Sequence, residues 1–443
     1  MRANAQRITA DRYLWVILYF IVLLAPLVVV LVGPRPGPRQ FWRELSVGLG
    51  FVGLALMGVQ FVPTARLRAI SNVFAMDEIY RYHKLAAVFG FLFVLAHPLI
   101  LFLFNPTTVH LLNPFTAPTR AIMGLVSLLA ASGLVITSIF RQPLGIRYEV
   151  WRWIHIILAL TVVITAMLHI LGVNYYLSMP GQRILWVGLT GLWVVMILNN
   201  RAVKPAAMLR KPYKVTDIQS ERDQTWTLTL QPDGHDGMRF MPGQFVWLTV
   251  GGTPFNPNAH PFSIASSADK PREIKLTIDE VGDFTSRISE VPIGETVYLD
   301  GPHGSFSFDI HDAPGYVFLA GGIGSPPIMS MLRTMADRDI QKPAWLVYGN
   351  PDLESVTYRD ELESLQQKLN LTVIYVLEQP PERWQGETGF ITADILDRHL
   401  PENRDEMNYF ICGPIPMIDV VTQALDDIGI SKQRVFTEEY EMV

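Results

Sequence analysis

The first 200 residues alternate long apolar runs with short polar connections, and this pattern predicts a bundle of membrane-spanning helices. Six runs are long enough to cross the hydrocarbon core of a bilayer. Beyond residue 200 the charge density rises, and strand and helix patterns alternate as in a water-soluble α/β protein. The six predicted spans are 13–32, 45–62, 82–104, 121–140, 150–171 and 184–198.

The second half of the chain contains two different patterns. Residues 213 to about 308 form short strand patterns separated by turn residues, which predicts a small antiparallel β-barrel. From residue 315 strands alternate with helices, which predicts a doubly wound parallel sheet with a ligand at the carboxyl ends of its strands. We therefore expect a multi-domain protein with a helical transmembrane domain (1–205), a barrel (206–310) and an α/β domain (311–443).

Two of the predicted spans each contain a pair of histidines fourteen residues apart, His83 with His97 and His155 with His169. Fourteen residues of α-helix rise about 21 Å and end roughly 40° short of a whole number of turns, so both imidazoles of a span point from one face at two depths. Ionisable side chains inside a span are rare and usually face a bundle interior or a site. The duplicated spacing favours metal ligands, and haem iron held by two histidines is the simplest fit.

Other interpretations of the histidines are open at this point. Any one of them alone is explained equally by a hydrogen-bonded position inside the bundle. Zinc is disfavoured because its ligands gather in one tetrahedral cluster, whereas these four residues fall at two levels. A histidine-lined proton channel is a further alternative, and it predicts that no haem is bound.

Lysine and arginine residues are concentrated in alternate connections, which predicts the orientation in the membrane. With the N-terminus inside, the inner segments hold fifteen of these residues and the outer loops hold five; both termini are therefore predicted to be cytoplasmic. His83 then lies level with His155, for an inner haem, and His97 with His169, for an outer haem. The candidates for holding the carboxylates of the inner haem are Arg81, Lys84 and Arg152.

Composition adds three limits. The 443 residues carry a net charge of −5, which provides no basic field for nucleic acid. The single cysteine, Cys412, excludes an intrachain disulfide. The first apolar run is too long for a cleavable signal peptide, so the bilayer of the cell membrane is the expected environment of the first half.

Two motifs of the predicted barrel lie where ligands commonly bind. A short helix pattern follows Gly282 and begins at Thr285, and its free backbone amides are expected to hold a diphosphate. The other motif closes a strand and consists of His260, Pro261, Phe262 and Ser263.

A glycine-rich turn joins the first strand and the first helix of the predicted α/β domain. Glycines at such a turn let backbone amides approach phosphate oxygens, as a nucleotide site requires, although tight turns use the same residues. Later strands end at the same edge with further glycines, which strengthens the nucleotide interpretation. The candidate residues are Gly321, Gly322, Gly324, Pro327, Gly349, Cys412, Gly413 and Pro414.

With these motifs in this order, the chain resembles the NADPH oxidase and ferric reductase superfamily, in which a haem-bearing membrane domain is fused to a ferredoxin-reductase-like dehydrogenase. The resemblance covers nearly the whole chain. It implies that the four span histidines ligate two b-type haems and that the motif beginning at His260 contacts FAD. It also implies that the segment from Gly282 to Thr285 lies on the FAD diphosphate, and that the glycine-rich turn and the Cys412 segment bind NADPH or NADH.

The resemblance also assigns catalytic roles. Glu438-Glu439-Tyr440 is similar to the family's C-terminal motif, in which an aromatic ring stacks on the isoalloxazine and must move before nicotinamide can approach. Tyr440 and Cys412 are therefore the candidate catalytic residues.

The nucleotide preference and the regulation are less defined. Members selective for NADPH often carry arginine near the end of the second strand of the α/β domain, where this chain has Gly349-Asn350-Pro351. Arg359 is near enough in sequence to substitute, but it also suits an ion pair with Glu363.

No EF-hand and no long N-terminal regulatory segment is found, so we expect activity without calcium or a regulatory subunit.

The implied activity is a superoxide-generating NAD(P)H oxidase, which passes electrons from cytoplasmic NAD(P)H through FAD and two haems to dioxygen outside. A ferric-chelate reductase shares every motif and is the main alternative. An electron-donor subunit for an extracytoplasmic partner is another. Arg183 and His110 are candidates for steadying an anion at the outer surface, although ordinary loop roles explain them as well.

Overall fold

The fold was examined in a computed structural model, which describes residues 2–33, 37, 39–71, 73–74, 76–222, 224–256 and 258–439. The chain divides into two units. Ala10–Ile70 and Glu78–Lys204 form a helical unit, and the sheet unit consists of the chain from Pro205 together with two short segments, 1–9 and 71–77, so a few helices of the first half extend past the boundary of the helical unit.

Long apolar helices make up most of the helical unit. Within the described residues, six helices are long and apolar enough to cross a membrane, so the predicted number of spans is confirmed. The long helices are α1 (Arg2–Val32), α2 (Phe41–Val59), α5 (Met76–Phe104), α6 (Thr119–Ile139), α7 (Tyr148–Val173) and α8 (Pro180–Leu198), and the short ones are α3 (Phe61–Thr64), α4 (Arg68–Ser71) and α9 (Lys204–Met208).

Glycines let the helices that surround the histidines pack closely. A Cβ atom on Gly53 of α2 would lie 2.7 Å from the carbonyl oxygen of Gly90 of α5, so the two backbones are in contact. Between α6 and α7, Ser127 Oγ donates to the carbonyl oxygen of Val162 at 3.1 Å. These contacts hold α5 and α7, which carry the four histidines, within one bundle.

The sheet unit begins with a six-stranded antiparallel sheet. Its strands are β1 (Tyr213–Arg222), β2 (Thr225–Pro232), β3 (Phe245–Val250), β4 (His260–Ser263), β5 (Ile274–Asp279) and β6 (Thr296–His303). They pair in the order β4-β3-β6-β1-β2-β5, and a bridge between Ile264 and Leu276 joins the two edges. The sheet therefore closes on itself as the predicted antiparallel barrel, around a core that includes Leu228 and Leu230.

A six-stranded parallel sheet follows the barrel. Its strands are β7 (Tyr316–Gly321), β8 (Ala344–Asn350), β9 (Leu371–Leu377), β10 (Glu387–Thr388), β11 (Asn408–Gly413) and β12 (Val435–Glu439), and its helices are α10 (Ser325–Asp337), α11 (Arg359–Lys368), α12 (Ala393–His399) and α13 (Ile415–Asp427). The strand order is β10-β9-β8-β7-β11-β12. The chain moves outward from β7 to β10 and then returns to the other side of β7, so the order reverses between β7 and β11. Ligands of such sheets bind at this switch point, outside the carboxyl ends of the strands.

Polar contacts join the barrel to the parallel sheet within the sheet unit. Arg333 of α10 donates to the carbonyl oxygen of Ala265 at 2.6 Å and pairs with Glu361 at 2.5 Å. Ser330 Oγ, also on α10, donates to the carbonyl oxygen of Ser266 at 2.8 Å. These bonds hold the helix that follows the glycine-rich turn against the barrel.

Candidate functional site

The four span histidines form two pairs in the helical unit. The ring centroids of His83 and His155 are 6.4 Å apart, and those of His97 and His169 are also 6.4 Å apart. The structure therefore brings together the histidines that helical periodicity predicts to be level with one another.

The separation within each pair fits one metal ion between two imidazoles. With a metal–nitrogen bond of about 2.0 Å and a ring centroid about 1.1 Å behind the nitrogen, two imidazoles on opposite sides of one ion have centroids about 6.2 Å apart. Two imidazoles alone do not complete the coordination of an iron ion, and a porphyrin would supply the remaining ligands. No group of three or more His, Cys, Asp or Glu side chains in the described part of the chain is placed to hold a metal ion. The paired residues thus fit haem.

Hydrogen bonds fix the protonation of both rings in the His97–His169 pair. Nδ1 of His169 lies 2.6 Å from the carbonyl oxygen of Arg120, and Nδ1 of His97 lies 3.0 Å from the carbonyl oxygen of Ser46. A carbonyl oxygen only accepts, so both Nδ1 atoms carry the proton. Nε2 of each ring is left with the lone pair that a metal requires.

A serine fixes the protonation of His155 in the same way. Ser138 Oγ donates to the carbonyl oxygen of Leu134 at 2.7 Å, so it accepts from Nδ1 of His155 at 3.2 Å. Nδ1 of His83 is buried without a hydrogen-bond partner among the described residues. Three of the four rings are therefore held in the tautomer that ligates through Nε2.

Two glycines make room for the His97–His169 pair. A Cβ atom on Gly50 would lie 3.2 Å from Cγ of His97, and one on Gly124 would lie 2.7 Å from Nδ1 of His169. Each imidazole therefore rests on a helix surface that carries no side chain at that point.

A cavity opens beside His83 and His155. Its walls include apolar side chains such as Leu134 and Val162, and Asn200 and Arg201 also line it. The sequence analysis did not identify these two polar residues, because no periodicity or motif marks them.

The basic residues predicted for the inner haem lie in different environments. Arg152 is only 8% exposed, whereas Arg81 and Lys84 are exposed. Arg201 lines the cavity, and the roles of Arg81, Lys84 and Arg152 at the inner haem stay predictions.

The two residues considered for an outer anion site make local contacts. Arg183 Nε donates to the carbonyl oxygen of Leu177 at 2.7 Å, and its guanidinium also contacts Asn174. His110 is hydrogen-bonded to the carbonyl oxygen of Thr107. Both side chains thus hold the ends of their own loops.

The barrel brings the two predicted flavin motifs together. His260, Pro261, Phe262 and Ser263 form β4, and the ring of His260 stacks on Phe284 with centroids 4.1 Å apart. Phe262, on the same face of β4, lies 6.2 Å from the same ring. An aromatic surface therefore joins this strand to the segment that begins at Gly282.

Thr285 shapes that segment. Its hydroxyl oxygen accepts from the backbone amides of Val281 and Gly282, both at 2.9 Å, and donates to the carbonyl oxygen of Gly282 at 3.3 Å. Thr285 then begins a short 3-10 helix, Thr285–Glu290. The predicted diphosphate segment is thus a turn organised by one hydroxyl group.

The glycine-rich turn connects β7 to α10 at the switch point. Gly322 has φ of +50°, and Tyr348 donates to its carbonyl oxygen at 3.1 Å. A Cβ atom on Gly324 would overlap the carbonyl oxygen of Cys412. The turn therefore needs glycine at both positions, for the backbone conformation at one and for close approach at the other. Pro327 lies in the first turn of α10.

The other predicted nucleotide residues meet at the same edge. Gly321 pairs in register with Gly349, and Cys412 pairs in register with Ala320 and Glu438. Gly413 ends β11, and Pro414 caps α13. The prediction that these strand ends lie together is confirmed by the register; their contacts with a nucleotide stay predictions.

Cys412 is a buried residue at this edge, only 1% exposed. Burial raises the pKa of its thiol well above the usual value, and the Glu438 carboxylate raises the pKa further. The thiol is therefore neutral at physiological pH and is not a thiolate nucleophile.

Tyr440 lies outside the described residues, so its predicted catalytic role stays a prediction. Arg359 pairs with Glu363 at 3.7 Å, as the spacing of the two residues suggests.

Comparison with known families agrees with this architecture. Residues 49–166 match the ferric reductase like transmembrane component, residues 211–307 match an FAD-binding domain, and residues 318–423 match an oxidoreductase NAD-binding domain.

Individual relatives match part of the chain. NADH-cytochrome b5 reductase 1 of Scheffersomyces stipitis is 32% identical over 53% of this chain and 84% of its own length. The protein of the same name from Mortierella alpina is 25% identical over 59% of this chain and 91% of its own length. Flavohemoglobin from Malassezia yamatoensis covers 90% of this chain and 96% of its own, but its TM-score of 0.49 and its 16% identity are too low to add to the assignment.

The three matched domains occur here in one chain, with the ferric-reductase-like helices first. Their order matches that of the helical bundle, the closed antiparallel sheet and the parallel sheet. The chain therefore belongs to the NADPH oxidase and ferric reductase superfamily, and it is a multi-pass membrane flavoprotein that oxidises NAD(P)H.

Proposed function

We propose that this protein carries electrons from cytoplasmic NAD(P)H, through FAD and two b-type haems, to dioxygen on the opposite side of the membrane, where superoxide forms. When bound, FAD supplies hydride acceptance with release of single electrons, and the haems supply one-electron transfer. The distribution of lysine and arginine supports cytoplasmic N- and C-termini.

The observation that carries the proposal is the equal 6.4 Å separation in the two histidine pairs. Each of the two helices carries one histidine of each pair. The two pairs would therefore provide two haem sites at different depths along these helices. The proton on Nδ1 of His97, His155 and His169 leaves Nε2 available for iron. His83 and His155 would hold one haem, and His97 and His169 the other.

The sheet unit supports the donor side of the proposal. It combines an FAD-binding domain with an NAD-binding domain, and the relatives named above are, by name, NADH-dependent reductases of a cytochrome. Electron transfer from a reduced nicotinamide through flavin to haem is consistent with that relationship. The glycine-rich turn and the Thr285 turn are the segments we expect to hold the two phosphate-bearing ligands.

The acceptor is tested by anaerobic reduction of the purified, haem-loaded protein with NADPH or NADH, followed in the haem absorption bands. Oxygen is then admitted together with a superoxide-specific probe. We expect rapid reoxidation of haem with a matching yield of superoxide. Haems that stay reduced in oxygen but reoxidise with a ferric chelate would instead identify a metal reductase.

Two further outcomes separate the remaining alternatives. If neither acceptor reoxidises the haems, the chain is an electron donor for an extracytoplasmic partner. If no haem band is present in protein expressed with ample haem, the histidines do not bind haem, and a proton pathway becomes the better explanation.

A further inference from the structure

A π-helical turn interrupts the regular helix at the end of α8. Asn199–Val203 forms this turn, and α9 continues directly from it. A π turn inserts one residue into a helix and re-aims the side chains around it, and such turns are frequent at functional sites.

The turn directs two polar side chains toward a redox site. Asn200 and Arg201 line the same cavity as His83 and His155. Much of the remaining lining is apolar, including Ala159, so the turn adds amide and guanidinium groups to a mostly hydrocarbon wall. Arg201 is partly buried, and a charge in such surroundings is stabilised when a ligand or another residue balances it.

The charge around Arg201 is predominantly positive. Arg66 and Arg152 lie close enough to repel it electrostatically, and Glu149 offsets part of the charge on Arg152. Lys204, at the end of the π turn, donates to the carbonyl oxygens of Ala65 and Arg66 at 3.1 and 2.7 Å. The turn is therefore fixed in place, and the cavity beside it is suited to a ligand that carries carboxylate groups.

We infer that Arg201, directed by the π turn, binds a carboxylate of the porphyrin that His83 and His155 ligate. The inference rests on the proposed function, because it requires haem at that pair. Guanidinium and carboxylate form strong, charge-assisted hydrogen bonds. Arg201 is thus a positioning residue that sets the retention of this haem and the electrostatic potential at its edge.

The test compares Arg201→Gln with Arg201→Lys, in the full-length, haem-loaded protein. Arg210→Gln is the matched control, because it removes an exposed cation nine residues after Arg201 that does not line the cavity. The readouts are the rate of haem transfer to excess apomyoglobin and a spectroscopic redox titration of the two haems. Flavin reduction by NADH reports that the sheet unit of each variant is folded, and an unchanged content of the other haem reports that the helical unit is folded.

For Arg201→Gln, we expect one of the two haems to leave about tenfold faster, equivalent to about 1.4 kcal/mol. The same haem should become harder to reduce, since a positive charge that favours the reduced state is lost. Arg201→Lys should retain most of the wild-type behaviour, and Arg210→Gln all of it.

Unchanged haem loss and an unchanged titration in Arg201→Gln would overturn the inference while leaving the proposed function intact. An equal effect in Arg210→Gln would also overturn it, because a general surface charge would then explain both. Absence of haem from the wild-type protein would reject the proposed function and the inference together.

Discussion

The backbone of Gly124 lies directly against the imidazole of His169, and a Cβ atom there would stand 2.7 Å from Nδ1. That distance is shorter than a carbon–nitrogen contact permits, so alanine would force the ring away. The bond from Nδ1 to the Arg120 carbonyl would be lost with the movement. We therefore predict that Gly124→Ala lowers the haem content from two per chain toward one, measured by pyridine haemochrome and protein concentration.

Gly133 provides the control for this substitution. It lies on the same helix as Gly124, but its Cβ would meet Leu158 at 3.5 Å, an ordinary van der Waals distance. Gly133→Ala should retain both haems. Equal haem content in the two variants would show that the contact between Gly124 and His169 does not position a ligand.

Replacing a candidate haem ligand should lower the haem content without changing flavin reduction. In His97→Ala or His169→Ala, we predict loss of one haem of the two, with reduction of flavin by NAD(P)H unchanged. His110→Ala is the control, because His110 belongs to neither pair. Normal haem content in both ligand variants would contradict the assignment of this pair.

The hydrogen-bond partners of Nδ1 differ between His155 and His97, so we expect their replacement to accelerate haem loss to different extents. Ser138→Ala removes the side chain that accepts from His155, whereas Ser46→Ala leaves the Ser46 carbonyl oxygen bonded to His97. Loss of such a partner typically weakens metal binding by about 10- to 100-fold. We predict at least about tenfold faster haem loss in Ser138→Ala and a smaller change in Ser46→Ala. Haem transfer to apomyoglobin measures both, and the reverse order of the two rates would refute this role for the serines.

Local periodicity is enough to predict much of this architecture. A fourteen-residue spacing fixes the direction and depth of two side chains on any straight helix. The sequence of one helix is therefore enough to predict that His83 and His97 lie on one face at two depths. Similarly, glycine at the ends of parallel strands predicts a shared edge, and the register of Gly321 with Gly349 confirms it. In these cases the geometry depends on one element, or on a regular pairing rule.

Contacts that depend on how separate helices meet were not predictable in this way. Ser46 is bonded to His97 from 51 positions away, and Arg120 to His169 from 49. The position of Arg201 was even harder to predict from the sequence. A π turn changes the helix face on which Arg201 lies, and no residue pattern marks such a turn.

A last prediction concerns the pH dependence of the sheet unit. The ring of His311 stacks on Phe436 with centroids 3.7 Å apart, and burial lowers the pKa of His311 to about 4. The unfolded chain, with a pKa near 6.5, therefore binds more protons than the folded protein between pH 6.5 and pH 4. Stability must fall as the pH falls through this range, by about 2 kcal/mol between pH 7.5 and pH 5.

His311→Phe isolates this contribution, since it retains an aromatic ring against Phe436 but has no proton to gain. The temperature of flavin release, followed by flavin fluorescence from about pH 7.5 to about pH 3, should fall more steeply in the wild-type protein than in the variant. The difference between the two should level off below pH 4, where the folded protein also binds the proton. Parallel curves across the whole range would mean that His311 has the same pKa in the folded protein as in the unfolded chain, and that its stack on Phe436 tolerates the charge.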